Sequence, residues 1–324
     1  MDSVSESPQI SKAPEAPPQP SADVLPKGQS DSLAVSIVIP VYNEIGALEE
    51  TVHDVTRYMN ESGLTYEVIL VDDGSTDGSG ELITQISLPH VKAVKHAVNQ
   101  GYGAALKTGL KNARYDLMAI TDADGTYPNE RLPELVKALG DDDMLVGART
   151  GQNVQIPAIR KPAKRALNEL ANYLSDTNIP DLNSGLRVMR KNTVKKFMHI
   201  LPDSFSFTTT ITLAMLSDGY NVKYVPIDYY HRAGDSKISP IKDTVRFTQL
   251  VVRTVMYFNP LRVFVPISLA LFVASFLVLL YRLFSGEGLL VLGIILFVSA
   301  IQVLTTGMLA DLIDKTNARH REPR

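Results

Sequence analysis

The chain has 324 residues, 45% hydrophobic and 21% charged, with a formal net charge of −3, a mean hydropathy of +0.02, and neither Cys nor Trp. The lack of cysteine excludes disulfides, thiolate metal sites and a cysteine nucleophile, and 32 basic against 35 acidic residues argue against a nucleic-acid binder, whose affinity rests on phosphate neutralisation. The length allows one large domain or two ordinary ones, and a near-zero mean hydropathy can average a polar tail against a membrane segment, so the chain is read locally.

Residues 1–33 hold six Pro and seven Ser with no sustained apolar run. Such a stretch cannot offset the entropy of ordering, and a disordered tail is expected. It begins Met1-Asp2-Ser3, without a basic start or an apolar block of about 7–15 residues, so no signal peptide is expected.

From Leu33 the pattern changes. Apolar runs rich in β-branched residues at 33–41, 66–71, 91–96, 115–121 and 143–148 alternate with helical patterns at about 44–60, 78–87, 101–114 and 130–140. This alternation predicts a parallel sheet with right-handed crossovers and helices on both faces. In such a sheet ligands bind at the carboxyl ends of the strands. A basic stretch at 156–174 follows, then a Pro-Asp-Leu-Asn-Ser-Gly turn (180–185), two further helical patterns to about 219 and a strand-like run at 222–231.

The last third differs in kind. Nineteen residues without a charge lie between Arg262 and Arg282, and 23 more between Glu287 and Asp311. As helices each spans about 30 Å, the thickness of a hydrocarbon core. The short Arg282–Glu287 connection makes them a hairpin with both flanks on one side. Lys237, Lys242, Arg246, Arg253 and Arg262 precede it and Lys315, Arg319, Arg321 and Arg324 follow it, with Arg282 alone in the turn. The positive-inside rule therefore predicts cytoplasmic flanks. Lys242, Arg246, Gln249 and Arg253 share one helix face opposite Ile241, Val245, Val252 and Val255. Such a helix either lies in the headgroup plane, the preferred reading, or packs on the soluble domain.

Three strand ends carry polar or aromatic clusters. Asp122-Ala123-Asp124-Gly125 follows the fourth strand, where alternation sets the two carboxylates on one side, suited to a shared Mg²⁺ or Mn²⁺. Asp-x-Asp is common by chance with 22 Asp in the chain, and Asp141-Asp142-Asp143 reads as a solvated loop. Val71-Asp72-Asp73-Gly74-Ser75 ends the second strand, and Pro40-Val41-Tyr42-Asn43-Glu44 ends the first. Each is also ordinary turn chemistry, so their convergence is the signal. Asn99-Gln100-Gly101-Tyr102-Gly103 lacks the third glycine of a dinucleotide fingerprint, with Leu106 in its place, and reads as a tight turn into a helix. Basic groups Arg149, Arg160, Lys161, Lys164 and Arg165, and the run His231 to Lys237, are solvated faces or phosphate binders. The six His suggest no zinc site, and no Gly-x-Ser-x-Gly or Walker loop occurs.

The strings SIVIPVYNE, VILVDDGSTD, ITDADGTYP, DLNSGLR and HRAGDSK, in this order ahead of a membrane hairpin, resemble family 2 glycosyltransferases. More narrowly they resemble the polyprenyl-phosphate sugar synthases of the dolichyl-phosphate mannose synthase type. The resemblance covers about 34–313. It implies an α/β fold: a GT-A, Rossmann-like, mostly parallel sheet domain over 34–235, an amphipathic interfacial helix over 236–259, a transmembrane hairpin over 260–313 and a basic cytoplasmic tail over 314–324. Pro40, Tyr42, Glu44, Asp72 and Asp73 would hold the base and ribose of a nucleotide sugar, and Asp122 and Asp124 the metal on its diphosphate. Arg149 and Arg165 would meet the acceptor phosphate, Arg232 and Lys237 would close over the diphosphate, and Asp181 matches a position linked to base action or acceptor positioning. The family often has Gln or Ser as a further metal contact two residues after the second aspartate; here it is Thr126.

The chemistry implied is transfer of a hexose, mannose or glucose, from a GDP- or UDP-linked donor to a polyprenyl phosphate in the bilayer. A cation with Arg or Lys neutralises the leaving group, and a lipid phosphate, largely dianionic at neutral pH, needs no strong base. Two rivals stand beside it. One is the same fold acting on a hydroxyl acceptor of a glycolipid or polysaccharide; the other is a non-catalytic membrane protein that binds lipid phosphates.

Overall fold

The structure is a computed structural model, and it describes residues 33–151, 169, 171–173, 177–230, 240–285 and 289–319. Arg165, Arg232 and Lys237, with the tail up to 32, lie outside the described residues.

Strands β1 (Ala34–Val41), β2 (Thr65–Asp72), β3 (Val91–Lys95), β4 (Leu117–Ile120), β5 (Met144–Ala148), β6 (Arg187–Arg190) and β7 (Val222–Pro226) form one sheet in the order β3-β2-β1-β4-β6-β5-β7. Every pairing is parallel except those of β6, which runs antiparallel to both β4 and β5. Helices α1 (Leu48–Ser62), α2 (Ser79–Gln85), α3 (Tyr102–Asn112), α4 (Leu132–Ala138), α5 (Lys191–Phe197) and α6 (Phe207–Ser217) cover it. The central strands are apolar on both sides, as burial under two helix layers requires. Val35, Ile37 and Ile39 of β1 enter one core with Val52, Val55 and Met59 of α1, while Val38 enters the other with Leu106 and Leu110 of α3.

The first helix starts four residues later than its pattern predicts. Residues 42–47 instead form a loop stitched to the 75–79 turn: the amides of Asn43, Glu44 and Ile45 donate to Ser75 Oγ, Ser79 Oγ and Asp77 Oδ2, at 3.1, 3.0 and 3.1 Å. The Ser-Thr-Asp-Gly-Ser turn thus supports the loop after β1.

Three helices follow: α7 (Pro240–Phe258), α8 (Leu261–Ser285) and α9 (Leu290–Arg319). Two segments, Leu261–Phe284 and Leu290–Ile313, are long and apolar enough to cross a membrane, and little of either is buried. They pack closely at two glycines, since a Cβ at Gly293 would meet Leu279 and one at Gly307 would meet Phe264. Ser275 Oγ donates to the Gly293 carbonyl at 2.8 Å. Helix α7 packs on the sheet domain through fully buried Val251 and Val255, which meet Leu213 of α6 and Ile179 and Leu182 of the turn before β6. Val252, expected on that apolar face, is only half-buried, and Arg253 is exposed. Over its described side chains the helix thus packs one face on the domain.

Candidate active site

The carboxyl ends of β1, β2, β4 and β5 gather the site. Past β4, Asp122 Oδ1 accepts from the Tyr102 hydroxyl at 2.9 Å. Asp124 Oδ1 accepts from the backbone N–H and Oγ1 of Thr126 at 3.2 and 2.6 Å. Thr126, in the place of the expected third metal contact, thus orients the second aspartate. Gly185 lies against Asp122 so closely that a Cβ there would stand 2.7 Å from Oδ2. Burial and then the neighbouring Asp124 push the Asp122 carboxyl up to about 6, against the lowering influence of Tyr102 and Arg149. Two carboxylates in mutual repulsion on hard oxygen ligands suit Mg²⁺ or Mn²⁺, which commonly take one or two carboxylates and complete their shell with phosphates and water. Among the described residues no group of three His, Cys, Asp or Glu converges as a metal cage.

Past β5, Arg149 Nε and Nη2 donate to the two oxygens of Asp181 at 2.7 and 2.9 Å, and its backbone N–H reaches Oδ2 at 3.0 Å. The guanidinium stands over the Tyr229 ring at 5.1 Å. Burial alone would make this arginine less basic, but the fork-to-fork bond with Asp181 outweighs it and the charge is secure. Asp181 is itself 1% exposed.

Sequence reading missed the scaffold of this turn. Arg187, fully buried, donates to the carbonyls of Ser184 and Thr208 and to Thr212 Oγ1. Gly185 N–H donates to the Tyr127 hydroxyl at 2.6 Å. The only signal was Arg187's place in the DLNSGLR string. Tyr102 was passed over because its Gly-x-Gly setting read as a turn.

The first two strand ends give a mixed result. Pro40 is buried within β1, Tyr42 is exposed and Glu44 half-buried. Asp73, expected to hold base or ribose, is turned inward: its oxygens accept from the backbone N–H groups of Gln100 and Gly101 at 2.9 and 2.8 Å and meet His96 Nδ1 at 2.7 Å. Asp73 is a latch between strand ends. Asp72 is buried too, with Oδ1 bonded to the Ser75 N–H at 2.9 Å and Oδ2 without a hydrogen-bond partner among the described residues, 3.7 Å from Lys95 Nζ.

A model of the family described as glycosyl transferase family 2 matches residues 36–198, the segment that carries all these strand ends. The chain belongs to glycosyltransferase family 2. A second model, for the GtrB C-terminal hairpin, matches 259–315, the two apolar helices. Among curated relatives of this family 2 chain, the undecaprenyl-phosphate 4-deoxy-4-formamido-L-arabinose transferase of Sodalis glossinidius (strain morsitans) is 31% identical over 297 residues, 87% of this chain and 88% of that protein. The protein of the same name from Aeromonas hydrophila subsp. hydrophila is 32% identical over 317 residues, 90% and 92% of the two chains. Among solved structures, glucosyl-3-phosphoglycerate synthase from Mycobacterium tuberculosis, in complex with Mn²⁺, UDP and phosphoglyceric acid, has a TM-score of 0.52 at 18% identity, covering 69% of this chain and 77% of that one. Mannosyl-3-phosphoglycerate synthase from Rubrobacter xylanophilus gives 0.53 at 17%, covering 69% and 73%. These two share the fold of the mostly parallel sheet domain. The chain is a glycosyltransferase, with two apolar helices long enough to span a membrane after its catalytic domain.

Proposed function

We propose that this glycosyltransferase carries out metal-dependent, inverting transfer of a hexose from a nucleotide sugar to a polyprenyl phosphate at the cytoplasmic face of a membrane. The observation that supports it most is the meeting of two opposite charges at one set of strand ends: a pair of mutually repelling carboxylates, and a charged arginine whose Nη1 takes part in none of its bonds to Asp181. The first suits a nucleoside diphosphate bridged by a cation, the second an anionic acceptor. The curated relatives are named for an undecaprenyl-phosphate acceptor, and the M. tuberculosis fold neighbour holds Mn²⁺ and UDP.

Asp122 and Asp124 would hold Mg²⁺ or Mn²⁺, which when bound neutralises the charge growing on the leaving diphosphate. Tyr42 and Glu44 line the donor's nucleoside side, with Asp72 beside them at the end of β2. Arg149 binds the acceptor phosphate and orients one of its oxygens at the anomeric carbon. The new phosphate–carbon bond forms as the carbon–diphosphate bond breaks, the electron pair leaves with the nucleoside diphosphate, and the configuration inverts. Because the phosphate is already dianionic, Asp181 takes no proton; it positions Arg149. Arg165, Arg232 and Lys237 complete the phosphate-binding set. The charges flanking the hairpin support a cytoplasmic side for both flanks and the catalytic domain.

The test incubates detergent-solubilised protein and Mn²⁺ or Mg²⁺ with labelled GDP-mannose, UDP-glucose and UDP-4-formamido-arabinose, each with undecaprenyl or dolichyl phosphate. Label extractable into organic solvent is expected with one donor, and Asp124→Ala lowers it by about 10²–10³-fold. If no donor labels the lipid, the reading fails; label from the pentose donor alone corrects the hexose to the relatives' sugar.

A further inference from the structure

The Asn99–Gly103 turn has a task beyond opening α3. Gly101 sits at φ +106°, a conformation closed to most side chains, and Cβ atoms at Gly101 and Gly103 would run into the carbonyl oxygens of Asp203 and Pro202. The turn is thus pressed against the 202–205 loop. Asp73 holds its amides from the other side. His96 locks that latch to α3, since its Nδ1 meets Asp73 and its Nε2 meets Thr108 Oγ1 at 2.9 Å.

Tyr102 stands on this fixed base as the first residue of α3. Its ring stacks on Phe205, with centroids 5.3 Å apart and planes 10° from parallel. Phe205 is 82% exposed, so it adds little to either core, and among the described residues its ring meets that of Tyr102. At the far end the Tyr102 hydroxyl donates to Asp122 Oδ1 at 2.9 Å, while Oδ2 faces the bare backbone of Gly185. A carboxylate's terminal torsion is broad when nothing holds it. Here one oxygen is held by a donor and the other lies beside bare backbone.

We propose that Tyr102 is a positioning residue for the cation site: its hydroxyl, braced by Phe205 and by the Asp73 latch, fixes the plane of the Asp122 carboxylate, so that a divalent cation meets an ordered ligand. The inference rests on the assignment of Asp122 to the cation under Proposed function. Groups that hydrogen-bond metal ligands commonly change metal affinity by about 10–100-fold when removed. Asp73 and His96 are then the remote end of the same support.

The experiment titrates Mn²⁺ alone into the full-length, detergent-solubilised protein and follows free Mn²⁺ by electron paramagnetic resonance, for the unaltered chain, Tyr102→Phe, Phe205→Ala and Asp122→Asn. Tyr102→Phe is expected to weaken Mn²⁺ binding about 10-fold or more, and Phe205→Ala to weaken it less. At saturating Mn²⁺ the turnover of Tyr102→Phe recovers while its apparent Mn²⁺ constant stays raised, a split that a general loss of structure does not give. Tyr102→Phe binding Mn²⁺ like the unaltered chain, while Asp122→Asn loses it, overturns the inference and leaves the site assignment standing. Asp122→Asn binding Mn²⁺ undiminished overturns the assignment and the inference with it. Should Tyr102→Phe not fold, Phe205→Ala decides, and an unchanged Mn²⁺ affinity in that variant overturns the proposal.

Discussion

Asp122 and Asp181 are the same residue type at neighbouring strand ends, and their surroundings treat them in opposite ways. Asp181 is matched: both oxygens take bonds from Arg149, and Oδ1 also accepts from the Asn183 N–H at 3.2 Å. Among the described residues Asp122 accepts from one neutral donor, Tyr102, and burial, followed by its like-charged neighbour Asp124, lifts it to about 6. Folding completes the first region, whereas on the proposed reading a ligand completes the second. The contrast implies that the β5 and pre-β6 wall stabilises the chain and that the β4 end is a place where stability is given up for binding.

The comparison can be pressed hardest by deletion. Asp181→Ala leaves the Arg149 charge buried without its partner, and the expected loss is about 3–5 kcal/mol, read as a lowered midpoint in chemical or thermal unfolding. Asp122→Asn is expected to act with the opposite sign, making the metal-free protein more stable at neutral pH by ~1–3 kcal/mol while removing Mn²⁺ binding. Between about pH 4 and 6 the folded chain binds more protons at Asp122 than the unfolded chain does, so its stability falls as pH rises through that window and the penalty is fully present above it. A destabilised Asp122→Asn would erase the contrast. The smallest effect is a matter of pH alone. Mn²⁺ affinity should hold from pH 8 down to about 6 and then fall roughly tenfold for each further unit as Asp122 takes its proton; a flat titration to pH 5 would place the ligand elsewhere.

Much of this was legible from residue order, and the reasons it was or was not are local. Strands β1 to β5 announce themselves because apolar β-branched runs with turn residues after them leave few other options, and the hairpin does so because charge is absent for two helix lengths. Strand β6 was missed: four residues, Arg-Val-Met-Arg, buried through Arg187, carry no apolar run, and an antiparallel insertion breaks the βαβ rhythm. Asp72 and Asp73 look equivalent in sequence, yet adjacent residues on a strand face opposite sides, so one points at Gly80 and Lys95 and the other at the Asn99–Gly103 turn. The Arg149–Asp181 pair spans 32 residues and the Tyr102–Asp122 bond 20, contacts that only the packed sheet creates. On α7 Val255 is buried as expected, but Val251 and not Val252 joins it against α6.

The seat of α7 carries a kinetic consequence. Val263 of α8 packs against the cluster that holds Ile179 and Leu182, and the Arg262 guanidinium bonds the Tyr173 carbonyl at 3.0 Å. The hairpin is thereby fastened beside the Arg149 wall and not beside the carboxylate end. With the proposed substrates, a lipid headgroup drifting within its leaflet and a nucleotide sugar tumbling in water reach the centre by separate approaches. On that reading the acceptor's search is confined to a plane and ends next to the arginine, so its arrival depends on how many lipid carriers share the patch of membrane around each protein and not on their number per volume of cell.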